Sequence, residues 1–244
     1  MTPLKLLSSS TGILVCCTLQ AQDSTHVRSG WSLGASGSFD SCYRTLEITE
    51  DNSITHDLVE WRDDHEVQRY SYTAGVDVEY AFNDHWILAS GIQFSDRGYG
   101  TDDTGIIVVD TDGSATGTGT VAFDYHYRFI SFPFMARYSI GKGAWRFVPS
   151  VGVCVDRLHQ HFSVLTLTLP DGSQDSDRNS DSYTDFNEWG STACLELPVS
   201  VSVCDRVDLR FGPRARYQFT RLTNTPITDH LWEGGFLLGA MIRL

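Results

Sequence analysis

Apolar residues alternate with small or polar ones over most of this 244-residue chain, in segments of ten residues or more. In the clearest segment Tyr70, Tyr72, Ala74, Val76, Val78, Tyr80 and Phe82 interleave with Ser71, Thr73, Gly75, Asp77, Glu79 and Ala81. Period two puts each set on its own face of a β-strand, and these segments outrun the five or six residues usual in soluble sheets. They are long enough to cross a bilayer at a tilt. The pattern predicts an all-β fold, an eight-stranded antiparallel up-and-down transmembrane β-barrel in which each backbone polar group bonds to a neighbouring strand.

The eight strands fall at about 29–43, 67–82, 86–94, 121–140, 145–169, 193–203, 207–219 and 232–244. In the fourth, the apolar phase changes between the set Tyr125, Tyr127, Phe129 and the set Ile130, Phe132, Phe134, Ala136, Tyr138, which predicts a bulge near Phe129. Pro133, Pro149, Pro198 and Pro213 lie within strands, where each removes a ladder donor. Hairpin-sized turns at 83–85, 141–143 and 204–206 alternate with long connections. Barrels of this kind keep short turns in the periplasm and long loops outside.

Alternation alone does not say which face meets lipid, so a soluble lipocalin-like cup is the competing architecture. Aromatics decide the expectation. Trp31, Tyr80, Phe82, Trp86, Tyr138 and Trp145 gather near the short turns, and Phe39, Tyr70, Tyr72, Phe94, Tyr125, Tyr127, Tyr217, Phe219 and Trp232 near the loops, as two interfacial girdles. Placing Arg210, Arg214 and Arg216 toward lipid would cost roughly 2–4 kcal/mol each near the midplane. Inside, they join Asp77, Glu79, Arg137, Asp156 and Glu196 as ion-pair candidates. With Gly34, Ser36, Gly75, Gly91, Gly152, Gly212, Gly235 and Gly239 on the same phase, the lumen is expected to be plugged by side chains.

The N-terminus carries Lys5, an apolar run through Gly12–Leu19 and then Gln20-Ala21-Gln22, a secretory signal pattern over residues 1–22. A short segment 23–28 would follow, then the barrel, 29–244. The formal net charge of -13 is concentrated in three long connections. Residues 44–66 hold eight acids against two arginines, 96–119 five against one, and 171–188 six against one. The expected extracellular loops are therefore acidic. A chain without a basic stripe is a poor nucleic-acid binder.

Cys154 and Cys194 stand on the polar phase of neighbouring strands, where a disulfide or two buried thiols would fit. No zinc-like Cys/His spacing occurs.

The strings Ala74-Gly75-Val76-Asp77-Val78-Glu79-Tyr80, Gly91-Ile92-Gln93-Phe94-Ser95-Asp96-Arg97-Gly98, Tyr127-Arg128-Phe129-Ile130-Ser131-Phe132-Pro133-Phe134 and Val148-Pro149-Ser150-Val151-Gly152 resemble the outer-membrane β-barrel domain family of Bacteroidota, the PorT-like proteins. More distantly the chain is similar to small OmpA- and OmpX-type barrels. The resemblance spans residue 29 to the end. It implies outer-membrane localisation, biogenesis through the barrel assembly machinery and contact with outer-membrane lipids. It brings no catalytic motif.

Three chemical candidates arise from the residues themselves. Asp175, Asp177, Asn179 and Asp181 offer oxygens at alternate positions, as a calcium loop does, but Ser180 stands at the turn glycine and Phe186 at the closing glutamate. His161 and Ser163, with His159, share one face of the fifth strand, the arrangement of an activated nucleophile in an outer-membrane lipid hydrolase. An open small-solute channel is the third. The expectation preferred over all three is a monomeric, non-catalytic, cofactor-free barrel with a structural or surface-interaction role, its loops facing an extracellular or envelope partner.

Overall fold

A computed structural model of the chain describes residues 30–49, 53–109, 112–180 and 186–244. The expected signal peptide, the segment 23–28 and the calcium candidate Asp181 lie outside the described residues. Twelve strands and one helix follow in the order β1 (Gly30–Ile48), α1 (Ser53–His65), β2 (Glu66–Ala81), β3 (Trp86–Thr101), β4 (Thr104–Val109), β5 (Ala115–Tyr138), β6 (Trp145–Phe147), β7 (Ser150–Thr168), β8 (Gln174–Asn179), β9 (Trp189–Glu196), β10 (Val199–Cys204), β11 (Val207–Gln218) and β12 (Ile227–Arg243). Every strand pairing is antiparallel.

Pairings run β12-β1-β2-β3-β5-β7-β9-β11, and β11 returns to β12. That last ladder, from Val207 opposite Ile242 to Tyr217 opposite Trp232, leaves no edge on this circuit. Closure is what a sheet in hydrocarbon requires, because unpaired N–H and C=O groups have no water there.

The count of strands departs from eight for two physical reasons. Prolines split two crossings: β6 and β7 part at Val148-Pro149, β9 and β10 at Leu197-Pro198. The neighbouring backbone still spans each break, with Val148 N donating to Pro198 O and Leu197 N to Pro213 O, both at 2.9 Å. The other reason lies in the long connections, expected to be plain acidic loops. Residues 104–109 and 174–179 fold back as β4 on β5 and β8 on β7, extending the sheet beyond the barrel. Residues 53–65 form α1, a helix within a connection of an otherwise all-β fold.

The faces sort as lipid demands. Leu33, Val76, Leu88, Ile92, Phe134, Val151, Leu209, Phe236, Leu238 and Ile242 lie exposed on the outer wall, while Asp40, Asp77, Glu79, Arg97, Arg137, Asp156, Arg210, Arg214, Arg216 and Glu233 are buried inside. A soluble cup needs the reverse, so the lipocalin-like alternative fails on the distribution of charge.

Tyr125 and Tyr127 are corrected out of the outer girdle. On β5 the odd residues face inward without interruption, Tyr127, Phe129, Ser131, Met135 and Arg137 all being buried. Hydrophobicity changes face there while the strand geometry does not. The register irregularity is real but sits on β7: Arg128 pairs with Gln160 and Phe129 with Leu158, leaving His159 as the extra residue. Tyr99, Tyr127, Phe129, Leu222 and Leu231 thus form an apolar core inside the upper barrel, with Phe186 packed against it.

Candidate functional site in the lumen and at the rim

Side chains cross-brace the lumen between strands that are not neighbours. Glu79 on β2 takes Arg210 of β11, with Nη2 donating to Oε2 at 2.7 Å, and also Arg137 of β5. Arg137 in turn stands 3.5 Å from Glu196 of β9. One layer higher, Arg216 donates to Gln93 Oε1 at 2.7 Å, and the amide of Gln93 donates to Asp77 at 3.3 Å. Above these, Arg97 of β3 reaches Asp156 of β7 at 2.9 Å and Glu233 of β12 at 3.3 Å. Glu233 also lies 3.5 Å from Arg216 and accepts from Ser71 at 3.0 Å.

A missing side chain makes one of these braces. Gly235 lies between Arg214 and Asp40 in the cross-strand row. A Cβ there would come within 2.2 Å of Asp40 Oδ1 and 2.3 Å of the Phe39 carbonyl. With hydrogen in its place, Arg214 passes to Ser38, to which it donates at 2.8 Å, and stands 3.7 Å from Asp40.

All eight residues expected in the lumen network therefore lie buried in it: Asp77, Glu79, Arg137, Asp156, Glu196, Arg210, Arg214 and Arg216. Missing from the expectation were Arg97, Glu233 and Asp40. Their signal was present in the phase: Arg97 continues the inward set Ile87, Ala89, Gln93, Ser95, and Glu233 the inward set Leu237, Met241. Toward the loops Arg44 donates to Asp229 at 2.8 Å, pairs with Glu66, and lies over the Tyr99 ring at 3.7 Å. Among the described residues the lumen is thus crossed by charge pairs below and lined by aromatic packing above.

Cys154 and Cys194 face one another in this interior with their Sγ atoms 3.0 Å apart, and both are thiols. Of the two arrangements open to this pair, the structure has the buried thiols. Cys42, Cys154 and Cys194 are buried, whereas Cys204 is half-buried at the β10–β11 turn. Maleimide applied to the folded protein is expected to label Cys204 and to reach the other three only after unfolding, as read by intact mass.

Of the three hydrolase candidates, His161 and Ser163 keep one face of β7 and His159 does not. The bulge at His159 sends that residue outward with Gln160, while His161 turns inward, its ring 4.3 Å from Phe186. Ser163 stands opposite Tyr125 and Asn179. His159 therefore leaves the face on which it was expected to join His161 and Ser163. Asp175, Asp177 and Asn179 lie in the extended strand β8. Extension spaces them along one face, whereas a calcium loop wraps its ligands around the ion. Asp171, at the tip between β7 and β8, is held below the usual carboxylate range by the hydroxyl of Ser173 at 2.6 Å and its amide at 2.9 Å.

Residues 20–225 match the family described as outer membrane protein beta-barrel domain. Neisserial surface protein A is similar over 88% of this chain and 98% of its own, at 13% identity and a TM-score of 0.45. The outer membrane protease OmpT from Escherichia coli is similar over 91% of this chain and 99% of its own, at 8% identity and a TM-score of 0.45. OprG from Pseudomonas aeruginosa is similar over 88% and 98%, at 9% identity and a TM-score of 0.43. No protein of curated function matches in sequence.

Proposed function

Because the chain belongs to the outer membrane protein beta-barrel domain family and is an outer-membrane protein, we propose that it serves there as a structural and surface-interaction barrel of eight crossings. Its short turns face the periplasm. Its β4–β5–β7–β8 extension and α1 stand outside as the contact surface. Membership of the PorT-like branch in Bacteroidota is part of the same reading.

One observation carries it: the cross-bracing of the lumen by Glu79, Arg97, Arg137, Asp156, Arg210, Arg216 and Glu233, all 7% exposed or less. A conducting pore needs wetted walls, and these buried groups pair across the lumen where such a channel would run. The test is a planar-bilayer recording of the refolded protein. No steady conductance is expected; a stable open level abolished by enlarging Arg97 to Trp would overturn the plugged reading in favour of a small-solute channel.

A further inference from the structure

The outer wall carries three arginines staggered along the upper ends of its apolar stripes. Going up β7, the outward residues Val151, Val153 and Val155 are followed by Arg157; on the neighbouring β5, Tyr138, Ala136, Phe134, Phe132 and Ile130 are followed by Arg128. On β3 the outward series Leu88, Ile92, Phe94 ends at Asp96. Tyr138 and Ile130 are eight residues apart, about 26 Å along the strand and roughly 20 Å along the membrane normal at a tilt near 40°. Arg128, the next outward residue on β5, is thus at the rim of the apolar band, whose height is about 25 Å, and Arg157, opposite Ile130, reaches the rim from just below it.

The patch is organised around one ring. Phe162 is stacked by His126 at 4.4 Å, and the guanidinium carbons of Arg128 and Arg178 lie 4.8 and 3.7 Å from its centroid. Asp96 draws Arg69 at 3.0 Å, His126 at 2.9 Å and Arg128 at 3.1 Å, and is itself buried. Arg128 also donates to Gln160 at 3.2 Å, through Nη1. Arg157 lies over the exposed Trp189 at 5.8 Å. Among the described residues no carboxylate pairs with Arg157 or Arg178, and both are exposed. β8 sorts its charge by side: Arg178 stands opposite Val164 on the outward face, whereas Asp177 stands opposite Leu165 on the other. Asp124 is the exposed acid on the outward face above His126.

From this arrangement we infer that Arg128, Arg157 and Arg178 form a site for the phosphate of an outer-leaflet glycolipid headgroup. The phosphate of such a lipid lies at the rim of the apolar band, its acyl chains run down the wall past Ile130, Phe132, Val153 and Val155, and planar guanidinium forks match its oxygens. Asp96 acts as a positioning residue, holding Arg128 against Phe162. In a chain of net charge -13, a group of arginines on a lipid-level surface stands against the overall field, and headgroup phosphate is the anion concentrated there. The site rests on the orientation proposed above, with the ends of β5 and β7 that carry β4 and β8 outside.

The test is heat unfolding of the refolded full barrel in micelles, followed by gel mobility, with bisphosphorylated lipid A, with the same lipid stripped of phosphate, and with inorganic phosphate. Bisphosphorylated lipid A is expected to raise the midpoint, and the other two to leave it unchanged. Loss of two or more charge-assisted bonds in Arg128→Gln/Arg157→Gln/Arg178→Gln should weaken the lipid A response by about a hundredfold in concentration. Arg178→Gln alone, on the short β8, should weaken it about tenfold if the triple variant does not refold. Equal responses to the phosphorylated and stripped lipids would overturn the site, and so would an unchanged response in Arg178→Gln. A matching response to inorganic phosphate would overturn the lipid assignment. Failure of the mobility shift itself, without lipid, would instead strike the barrel reading, so the two failures are distinguishable.

Discussion

Replacing Arg97 by Met is expected to be the most damaging single change in the barrel, at about 3–5 kcal/mol of unfolding free energy. Arg97 is 1% exposed and bridges Asp156 of β7 to Glu233 of β12 across the lumen. Met fills much of the volume but supplies no charge. Two carboxylates would remain in an interior that no longer compensates them, with Arg216 the nearest cation to Glu233 at 3.5 Å. The loss belongs to the broken pair rather than to the cavity, so Arg97→Met/Glu233→Gln should recover part of it. Urea unfolding in micelles measures both. A cost under about 1 kcal/mol for Arg97→Met, a level typical of exposed pairs, would show that the lumen is wet.

Leu238→Arg is expected to cost about 2–4 kcal/mol in bilayers, although Leu238 is 60% exposed. It lies on the outer wall of β12, opposite Gly37 on β1 and Phe211 on β11. It is also midway between Trp232 at the loop end of the strand and Leu244 at its other end. At such a position in water, an exposed Leu-to-Arg change is nearly neutral. Hydrocarbon reverses that, because the guanidinium must be dehydrated or must snorkel a long way to a headgroup. Comparing refolding yield and urea midpoint in lipid vesicles and in a small-micelle detergent checks the claim. The penalty should be large in vesicles and much reduced in micelles, and equal small effects in both would place this face outside the membrane.

The two changes probe opposite faces of the same alternation. That alternation was legible because it is local: a strand places residues i and i+2 on one side whatever surrounds it, so Asp77 and Glu79 declared their face beside Val76 and Val78. The short turns were legible for a similar reason, since a hairpin is closed by a few residues. One part of what was missed lay past an expected strand end. β3 was expected to finish near Phe94, and so Arg97 and Tyr99 were left out of an interior that their phase already assigned to them.

What the sequence by itself determined is therefore the strand character, the two faces of each crossing and the charge-rich interior, all consequences of period two and of the cost of charge in lipid. Tertiary structure alone decided which residues meet across the lumen. Glu79 with Arg210, Arg97 with Asp156 and Cys154 with Cys194 are joined by closure and register, quantities that depend on every strand at once. It also decided where the apolar phase of β5 points, because the bulge that accommodates it lies on the partner strand at His159. The hairpin arms β4 and β8, and with them the arginines around Phe162, arise in the same way. Segments that look like loops one at a time gain their backbone partners only when the barrel below has fixed their neighbours.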